Sequence, residues 1–183
     1  MNDVTPRDDV IVRAERPEDH ATIDEVVEAA FRSTAEVRLV NAIRASEFAI
    51  PELSLVAERD GRVIGHVMIS YAEVQDGEHR RRIAMLSPLA VAPTEQGHGI
   101  GSMLVRAATA RAAALGETVV VLEGSPSFYG RLGFEPAAEH GLTLPLPSWA
   151  PPEAAQVLKL ADHVQTQRGQ VVYPPAFATV TDR

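Results

Sequence analysis

A glycine-rich turn in the middle of the chain carries the residue types that bind phosphate. An apolar stretch ending in Leu89, Ala90 and Val91 leads into the turn, and an amphipathic helix pattern follows it. A turn that opens a helix presents unpaired N–H groups and the positive end of the helix dipole, and glycines let phosphate oxygens approach the backbone closely. The sequence therefore predicts a phosphate site made of Gln96, Gly97, His98, Gly99, Ile100, Gly101 and Ser102.

Two common phosphate motifs fit this turn less well. A Walker A loop needs a second glycine and then a lysine before its Ser or Thr, whereas counting from Gly97 gives Ser102 in place of that glycine and Met103 in place of the lysine. A Rossmann fingerprint counted from Gly97 places Ser102 where the third glycine belongs, and five residues separate Val91 from Gly97. The Rossmann interpretation is favoured by Glu123, which lies about where a ribose-binding acid would be expected. A dinucleotide site therefore stays as the rival hypothesis for the turn.

The turn also resembles the cofactor motif of one enzyme superfamily. Gln96-x-x-Gly99-x-Gly101 resembles the Gln/Arg-x-x-Gly-x-Gly/Ala signature of the GNAT acetyltransferases, which binds the pyrophosphate of acetyl-CoA. The run from Pro88 to Val91 is similar to the strand whose backbone lines the pantetheine arm in that family. The resemblance implies acetyl-CoA as the acyl donor, and it implies contacts from Leu89, Ala90 and Val91, from residues 96–102, and from Ser125 and Tyr129.

Further motifs extend the resemblance. Tyr129, Gly133 and Phe134 match the family's Tyr-x-x-x-Gly-Phe element, at the expected distance after the turn. Residues 61–66 are similar to the family's second hairpin, and residues 171–177 are similar to the C-terminal end of its YhbS-type bacterial branch. Members of that branch are known mainly as predicted acetyltransferases, so this narrower likeness adds little about the substrate.

The sequence departs from the family pattern just before the tyrosine. Many members carry Asn seven residues before it and Ala three residues before it, where this chain has Leu122 and Pro126. Ser125 is the residue expected to replace the missing pantetheine contacts.

The implied reaction is transfer of an acetyl group to a primary amine by direct attack in a ternary complex. A lysine-like amine has a pKa near 10.4, so its deprotonation at pH 7 costs about 4–5 kcal/mol and needs a base. Glu123, after a run of valines, is the candidate base, and its alternative is a carboxylate that faces solvent. Tyr129 is the candidate acid for the departing thiolate, and its alternative is a tyrosine that only packs. The amide of Ala90 or Val91 is the candidate oxyanion donor.

Other titratable residues are weaker candidates. Glu36 lies on a helix that covers the substrate side in the family, and His66 is expected to be a hydrogen-bonded core residue. The run 80–82, three arginines, is expected to be solvated because it lies at the far end of its strand from the turn. His20, His79, His140 and His163 show no metal-ligand spacing, and the chain has no cysteine, so no metal is predicted.

The apolar patterns that position these residues predict a mixed α/β sheet, antiparallel in its first half, with a βαβ unit in the second half and flanking helices. The resemblance implies that this is the GNAT fold. Residues 1–9 are expected to be a flexible tail, and residues 10–183 a single domain. The predicted strands are 10–14, 53–59, 63–74, 82–91, 118–122, one starting at 133, and 156–160, where a helix also fits; the predicted helices are 17–31, 34–45, 99–115 and 127–132.

Composition limits the partners. The chain has 183 residues, a net charge of −8 and no cysteine, which argues against nucleic acid or an anionic membrane as the partner and closes any route through a cysteine nucleophile. The first ten residues lack the apolar stretch of a signal peptide, so the cytoplasm is the expected location. A small-molecule amine is the expected acceptor. A homodimer, common in the family, is an open alternative to a monomer, and a noncatalytic acyl-CoA sensor is the alternative to an enzyme.

Overall fold

A computed structural model describes residues 9–161 and 167–181 of the chain. Most of the predicted tail, residues 1–8, lies outside this range, and the tail and single-domain assignments stay predictions. The described strands are β1 (Val10–Ala14), β2 (Ser54–Arg59), β3 (Arg62–Asp76), β4 (His79–Val91), β5 (Val119–Glu123), β6 (Glu135–Pro136), β7 (Leu142–Thr143), β8 (Ala155–Lys159) and β9 (Gly169–Val172). The described α-helices are α1 (His20–Phe31), α2 (Ala35–Arg44), α3 (Ile100–Ala114), α4 (Pro126–Tyr129) and α5 (Ala178–Thr181).

These strands form one mixed sheet, as the sequence predicts. The order along the sheet is β1-β2-β3-β4-β5-β8-β6, and β9 pairs with both β3 and β7. The first four strands pair antiparallel in sequence order, whereas β4 and β5 pair in parallel across α3. The predicted central position of β4 is confirmed, because it lies between β3 and β5.

Some boundaries differ from the prediction for local reasons. α1 begins only at His20, because one 3-10 turn that starts with Pro17 precedes it. α2 begins at Ala35, whose N–H donates to Oγ of Ser33 at 3.1 Å. The helix alternative for residues 156–160 is wrong, because β8 pairs there with β5. The strand expected from residue 133 is only the two-residue β6, and the short strands β7 and β9 were not predicted.

The sheet has two covered faces with separate apolar cores. One face, the α1 face, packs against α1, α2 and the C-terminal segment 173–180, and the other, the α3 face, packs against α3 and α4. Side chains alternate between the faces along a strand. On β5, Val121 belongs to the α1 core and Leu122 to the α3 core, so the side chain of Glu123 lies on the α1 face.

Candidate active site

β4 and β5 separate before β4 ends. Their parallel pairing joins Ala84 to Val120 and Met85 to Val121 and has no further registered pairs, although β4 continues to Val91. On its other edge β4 stays paired with β3 up to Val91. The backbone of residues 86–91 therefore lacks a strand partner on the β5 side. We call the space bounded by residues 86–91, the end of β5 and α4 the β4–β5 cleft.

Hydrogen bonding determines which amides of β4 face the cleft. The N–H of Ala92 donates to the carbonyl oxygen of Ile64 on β3 at 2.9 Å. Peptide groups alternate in direction along a strand, so the N–H of Ala90 also faces β3. The N–H groups of Leu89 and Val91 point the other way. Two amides were predicted as oxyanion donors. The amide of Val91 faces the cleft, whereas the amide of Ala90 does not, because it is directed toward β3.

The glycine turn lies at the end of this cleft and opens α3. Gly97 and Gly99 have φ angles of 81° and 82°, a region in which a residue with a Cβ is strained, and Gly99 is the N-cap residue of α3. The first helical bond runs from the N–H of Met103 to the carbonyl of Gly99. The amides of residues 100–102 therefore precede the first helical bond, at the positive end of the helix. A Cβ built on Gly97 would meet no atom within 4 Å, so open space lies beside the turn.

Side chains of the turn hold it in place. Nε2 of Gln96 donates to the carbonyl oxygen of Val91 at 3.0 Å, which ties the turn to the end of β4. His98 is exposed, and its Nδ1 lies 3.2 Å from the carbonyl oxygen of Glu95. The carboxylate of Glu95 forms an ion pair with Arg59, which offsets negative charge beside the proposed anion site.

A cavity of about 630 Å³ connects the cleft to the turn. It lies within the size range of small-molecule sites. Its wall contains eight of the predicted cofactor residues but not Ala90, His98, Ser125 or Tyr129, and it adds Phe31, Phe128 and Arg131, which sequence reasoning missed. The complete lining is Ala30, Phe31, Leu89, Val91, Glu95, Gln96, Gly97, Gly99, Ile100, Gly101, Ser102, Phe128 and Arg131.

Tyr129 ends α4 beside the last residues of β5. Its ring packs edge-on against Phe128 at a centroid distance of 4.8 Å and against Phe134 at 5.5 Å. Gly133, with φ of 93°, ends the following turn and lets the N–H of Phe134 return to the carbonyl of Tyr129 at 3.2 Å. This geometry explains the spacing of the Tyr-x-x-x-Gly-Phe element. Burial raises the pKa of Tyr129 to about 12, so its hydroxyl stays protonated at neutral pH.

Glu123 does not face open solvent. Its side chain is half-buried on the α1 face, and the hydroxyl of Tyr173 donates a hydrogen bond to Oε2 of Glu123. Burial raises the pKa of Glu123, and the hydrogen bond from Tyr173 offsets part of that rise. Sequence reasoning missed Tyr173, although an aromatic residue just before two prolines near the end of the chain was a visible signal.

Gly124 connects the two candidate catalytic residues. Its N–H donates to the carbonyl of Ala154 at 2.9 Å, and its carbonyl accepts from Nε2 of Gln156 at 3.0 Å. These bonds fix the end of β5 where Glu123 lies on one face and Tyr129 packs on the other. Sequence reasoning missed this glycine too; its signal was a glycine that directly follows a buried strand.

The remaining candidates lie elsewhere. Ser125 is exposed, and its Oγ lies 2.9 Å from Oγ of Ser127. Glu36 is buried on α2. His66 is fully buried, with Nε2 3.1 Å from Oγ of Ser54 and 3.2 Å from Oε2 of Glu15, as expected for a core histidine. Residues 80–82 are exposed at the start of β4, at the opposite end from the turn.

The described residues contain no metal centre and no membrane span. Over 9–161 and 167–181, no three His, Cys, Asp or Glu side chains lie close enough together to hold a metal ion. His163 lies outside these ranges. In the same part of the chain, no helix has the length and apolar character needed to cross a bilayer.

Comparison with known proteins identifies the family. Residues 20–134 match the Acetyltransferase (GNAT) family. The chain is 39% identical over 155 residues to the uncharacterized N-acetyltransferase YhbS of Escherichia coli K12, which covers 84% of this chain and 89% of the relative. It is 35% identical over 130 residues to the uncharacterized N-acetyltransferase YjhQ of the same organism, covering 70% and 72%. The chain belongs to the GNAT acetyltransferase family and is an N-acetyltransferase by that membership.

Two solved structures of the family are similar over nearly the whole chain. The structure of Escherichia coli YhbS in complex with CoA has a TM-score of 0.83, 34% identity and coverage of 92% of each chain. That of a GNAT family acetyltransferase from Brucella melitensis in complex with acetyl-CoA has a TM-score of 0.74, 33% identity and coverage of 92% and 97%. The mixed sheet described above is therefore the GNAT fold.

Proposed function

We propose that this protein transfers an acetyl group from acetyl-CoA to a primary amine by direct attack in a ternary complex. The observation that carries the proposal is the β4–β5 cleft, which opens directly into the glycine turn at the start of α3. A cleft with free strand amides suits the amide-containing pantetheine arm, and a helix start with free amides suits a pyrophosphate. The CoA and acetyl-CoA present in the two similar structures support the same cofactor here.

The backbone of β4 supplies polar contacts along the cleft. Leu89 and Val91 direct their N–H groups into it, and the carbonyl of Val91 is already bonded to Gln96. In this proposal the amide of Leu89 donates to the oxyanion of the tetrahedral intermediate. Leu89 is closer than Val91 to the residues of β4 that pair with β5. The amides of residues 100–102 donate to the pyrophosphate.

The acid and the base lie on opposite faces of the end of β5. Glu123 accepts the proton that the amine must lose, and its burial raises its pKa toward that of a useful base. Tyr129 gives a proton to the departing thiolate. Free phenol and thiol differ by about 1.5 pKa units, or roughly 2 kcal/mol. Burial raises the pKa of Tyr129 to about 12 and so makes its hydroxyl a weaker acid than free phenol; the proton transfer therefore requires that the same apolar surroundings raise the pKa of the thiol as well.

The test is amine-dependent release of CoA. Acetyl-CoA is incubated with the protein and one of four probes (butylamine, phenethylamine, lysine methyl ester or a short peptide with a free N-terminus), and free thiol and acetylated amine are measured together. We expect at least one probe to give equal amounts of both products. Glu123→Gln should lower kcat about 10²-fold or more without weakening acetyl-CoA binding. Glu117→Gln is the matched control, because Glu117 also accepts a tyrosine hydrogen bond, from Tyr71.

Two results of this experiment would contradict the proposal, one of them the acetyl transfer and the other the role of Glu123. Tight acetyl-CoA binding with CoA release that none of the four amines accelerates would make the noncatalytic acyl-CoA sensor the better description. Full activity in Glu123→Gln would leave the enzyme in place and remove Glu123 as the base.

A further inference from the structure

Tyr173 belongs to none of the cofactor-binding segments, yet it contacts the candidate base. It follows β9, and its hydroxyl donates to Oε2 of Glu123, which lies 50 residues earlier in the chain. Its ring packs against that of Phe177 with a centroid distance of 5.1 Å. The C-terminal segment, residues 173–180, therefore places one polar group on the α1 face, against the end of β5.

The position of Tyr173 is fixed from two sides. β9 adds to the sheet by antiparallel pairing with β3, where Val172 lies opposite Glu73. On the other side of Tyr173, Phe177 is buried in the α1 core, and α5 contacts α2. An anchored phenol keeps one orientation at little additional loss of side-chain entropy, which suits a group that must hold a carboxylate in place.

We infer that Tyr173 is a positioning residue for acetyl transfer, because its hydroxyl holds one oxygen of Glu123 and leaves the other to take the proton of the amine. This inference rests on the proposed role of Glu123 as the base. No hydrogen bond to Oε1 of Glu123 is present in the described part of the chain, so this oxygen is available. In this proton transfer the N–H bond of the substrate ammonium breaks and an O–H bond forms on Oε1 of Glu123. Tyr173 keeps its own proton.

The surroundings of Tyr173 keep its hydroxyl protonated, so that it remains a hydrogen-bond donor. Burial and the adjacent carboxylate of Glu123 raise the pKa of Tyr173 well above its ordinary value, so the phenol stays protonated wherever Glu123 titrates. The hydrogen bond from Tyr173 in turn lowers the pKa of Glu123 against the larger effect of burial, which raises it.

Few other charges reach this carboxylate. β8 places Ala155 opposite Glu123, and its one charged residue, Lys159, lies opposite Val119 at the other end of β5. The charged residues of β4, numbers 80–82, lie at the far end of that strand. α2 brings one buried carboxylate, Glu36, to the α1 face. Among the described residues, Tyr173 is the single titratable group that contributes to the shifted pKa of Glu123.

The test compares pH–rate profiles of the wild type and Tyr173→Phe with the most active of the four amine probes. A base must be ionised, so the rate falls as pH drops through the pKa of Glu123. Removing the donor destabilises the carboxylate and raises that pKa, so the acid limb should move to higher pH by about one unit. The Phe ring keeps the contact with Phe177. Tyr71→Phe is the matched control, since it removes a 2.7 Å hydrogen bond to Glu117 and should leave the limb unchanged.

A second readout does not depend on turnover. The side-chain carboxyl carbons of the glutamates are labelled with ¹³C, and the signal of Glu123 is assigned by its loss in Glu123→Gln. This signal is then followed by NMR as a function of pH in the wild type and in Tyr173→Phe. An upward shift of its pKa in Tyr173→Phe, matched by the acid limb, supports the inference. An unchanged pKa, or a shifted pKa with an unmoved limb, overturns it. Full activity of Glu123→Gln also overturns the inference, because Glu123 is then not the base, while acetyl transfer itself stands. A wild type that acetylates no probe overturns the proposed function instead.

Discussion

The ring of Tyr129 lies against Gly124 so closely that no side chain fits between them. A Cβ built on Gly124 would lie 2.3 Å from Cε2 and 2.8 Å from Cδ2 of the tyrosine ring. The backbone at this glycine has little room to retreat, because both its N–H and its carbonyl are hydrogen-bonded. The position of the candidate acid is therefore set by the residue that directly follows the candidate base.

Gly124→Ala should displace Tyr129 and slow acetyl transfer. The added methyl group forces the ring to move by about 1 Å, and a misplacement of that size can lower the rate about 10²-fold. The overpacking should also lower the free energy of unfolding by about 1–3 kcal/mol. Steady-state kinetics and chemical denaturation measure the two effects. Acetyl-CoA affinity should change little, since Gly124 lies outside the cavity wall.

Gly130→Ala is the matched control for this prediction. Gly130 directly follows Tyr129, has an αR conformation, and a Cβ built on it meets no atom within 4 Å. Its substitution should leave the rate within about twofold of the wild type. Equal rate losses in the two variants would show that the tyrosine position is not set by the contact with Gly124.

Gly99→Glu should abolish CoA binding and leave the chain folded. The new carboxylate would lie at the N-terminus of α3, where the proposal puts the pyrophosphate, and would repel it. A side chain at a φ of 82° adds about 1–2 kcal/mol of strain, which a folded domain tolerates. Isothermal titration with CoA and a thermal melt measure the two properties.

Gly116→Glu separates charge from strain. Gly116 lies beyond the end of α3 with a φ of 92°, close to the 82° of Gly99, and a Cβ built on Gly116 meets no atom within 4 Å. This variant should carry similar strain and still bind CoA. Wild-type CoA affinity in Gly99→Glu would mean that the turn does not bind the pyrophosphate.

CoA should raise the melting temperature more than NAD or ATP at the same concentration. The turn lacks a Walker A lysine, and the cleft that leads into it offers strand amides for a pantetheine arm. A ligand at 100 times its dissociation constant adds about 2.7 kcal/mol to the free energy of unfolding. Differential scanning fluorimetry with the three ligands makes the comparison, and a larger shift with NAD would revive the dinucleotide hypothesis.

Glu15 should stabilise the fold at neutral pH and lose that effect in acid. Burial opposes its ionisation, but hydrogen bonds from His66, Arg44 and Ser54 outweigh burial and lower its pKa well below the ordinary 4.5. A depressed folded-state pKa adds stability above the unfolded value, and this stability is lost as pH falls below about 4.5. Glu15→Gln should therefore be less stable by about 3 kcal/mol at pH 7.

Denaturation from pH 7 to pH 3 tests the sign of this effect. The difference in the free energy of unfolding between wild type and Glu15→Gln should shrink as pH falls. The control Glu18→Gln, at an exposed position, should show no such trend. A constant difference for Glu15→Gln would mean that the carboxylate charge does not supply the stability.

Local motifs were enough to predict the glycine turn before α3 and the turn that follows Tyr129. Gly97, Gly99 and the Tyr129–Gly133 spacing can be read from sequence because each depends on backbone conformation over a few residues. The contact between Glu123 and Tyr173 could not be predicted, since it joins residues 50 apart through a strand, β9, that is only four residues long.

The sequence also could not predict which backbone amides of β4 face the cleft. Whether Ala90 or its neighbours face the cleft depends on the register of β4 against β3, which shifts between Val67 and Ile69. A bulge of one residue reverses which amides face each side of a strand, and no local pattern reports it. The family resemblance of residues 88–91, by contrast, implied that their backbone lines the pantetheine arm, although it did not predict where β4 and β5 separate.

The most direct test of the account is the single-turnover rate of Tyr129→Phe with acetyl-CoA and the best amine probe. The variant keeps the ring contacts with Phe128 and Phe134 and loses only the hydroxyl. If that hydroxyl protonates the departing thiolate, the loss falls on the transition state, and the chemical step should slow about 10²–10³-fold while acetyl-CoA affinity stays nearly constant. Tyr71→Phe should keep the wild-type rate. An unchanged single-turnover rate in Tyr129→Phe would contradict the account and remove Tyr129 from the mechanism.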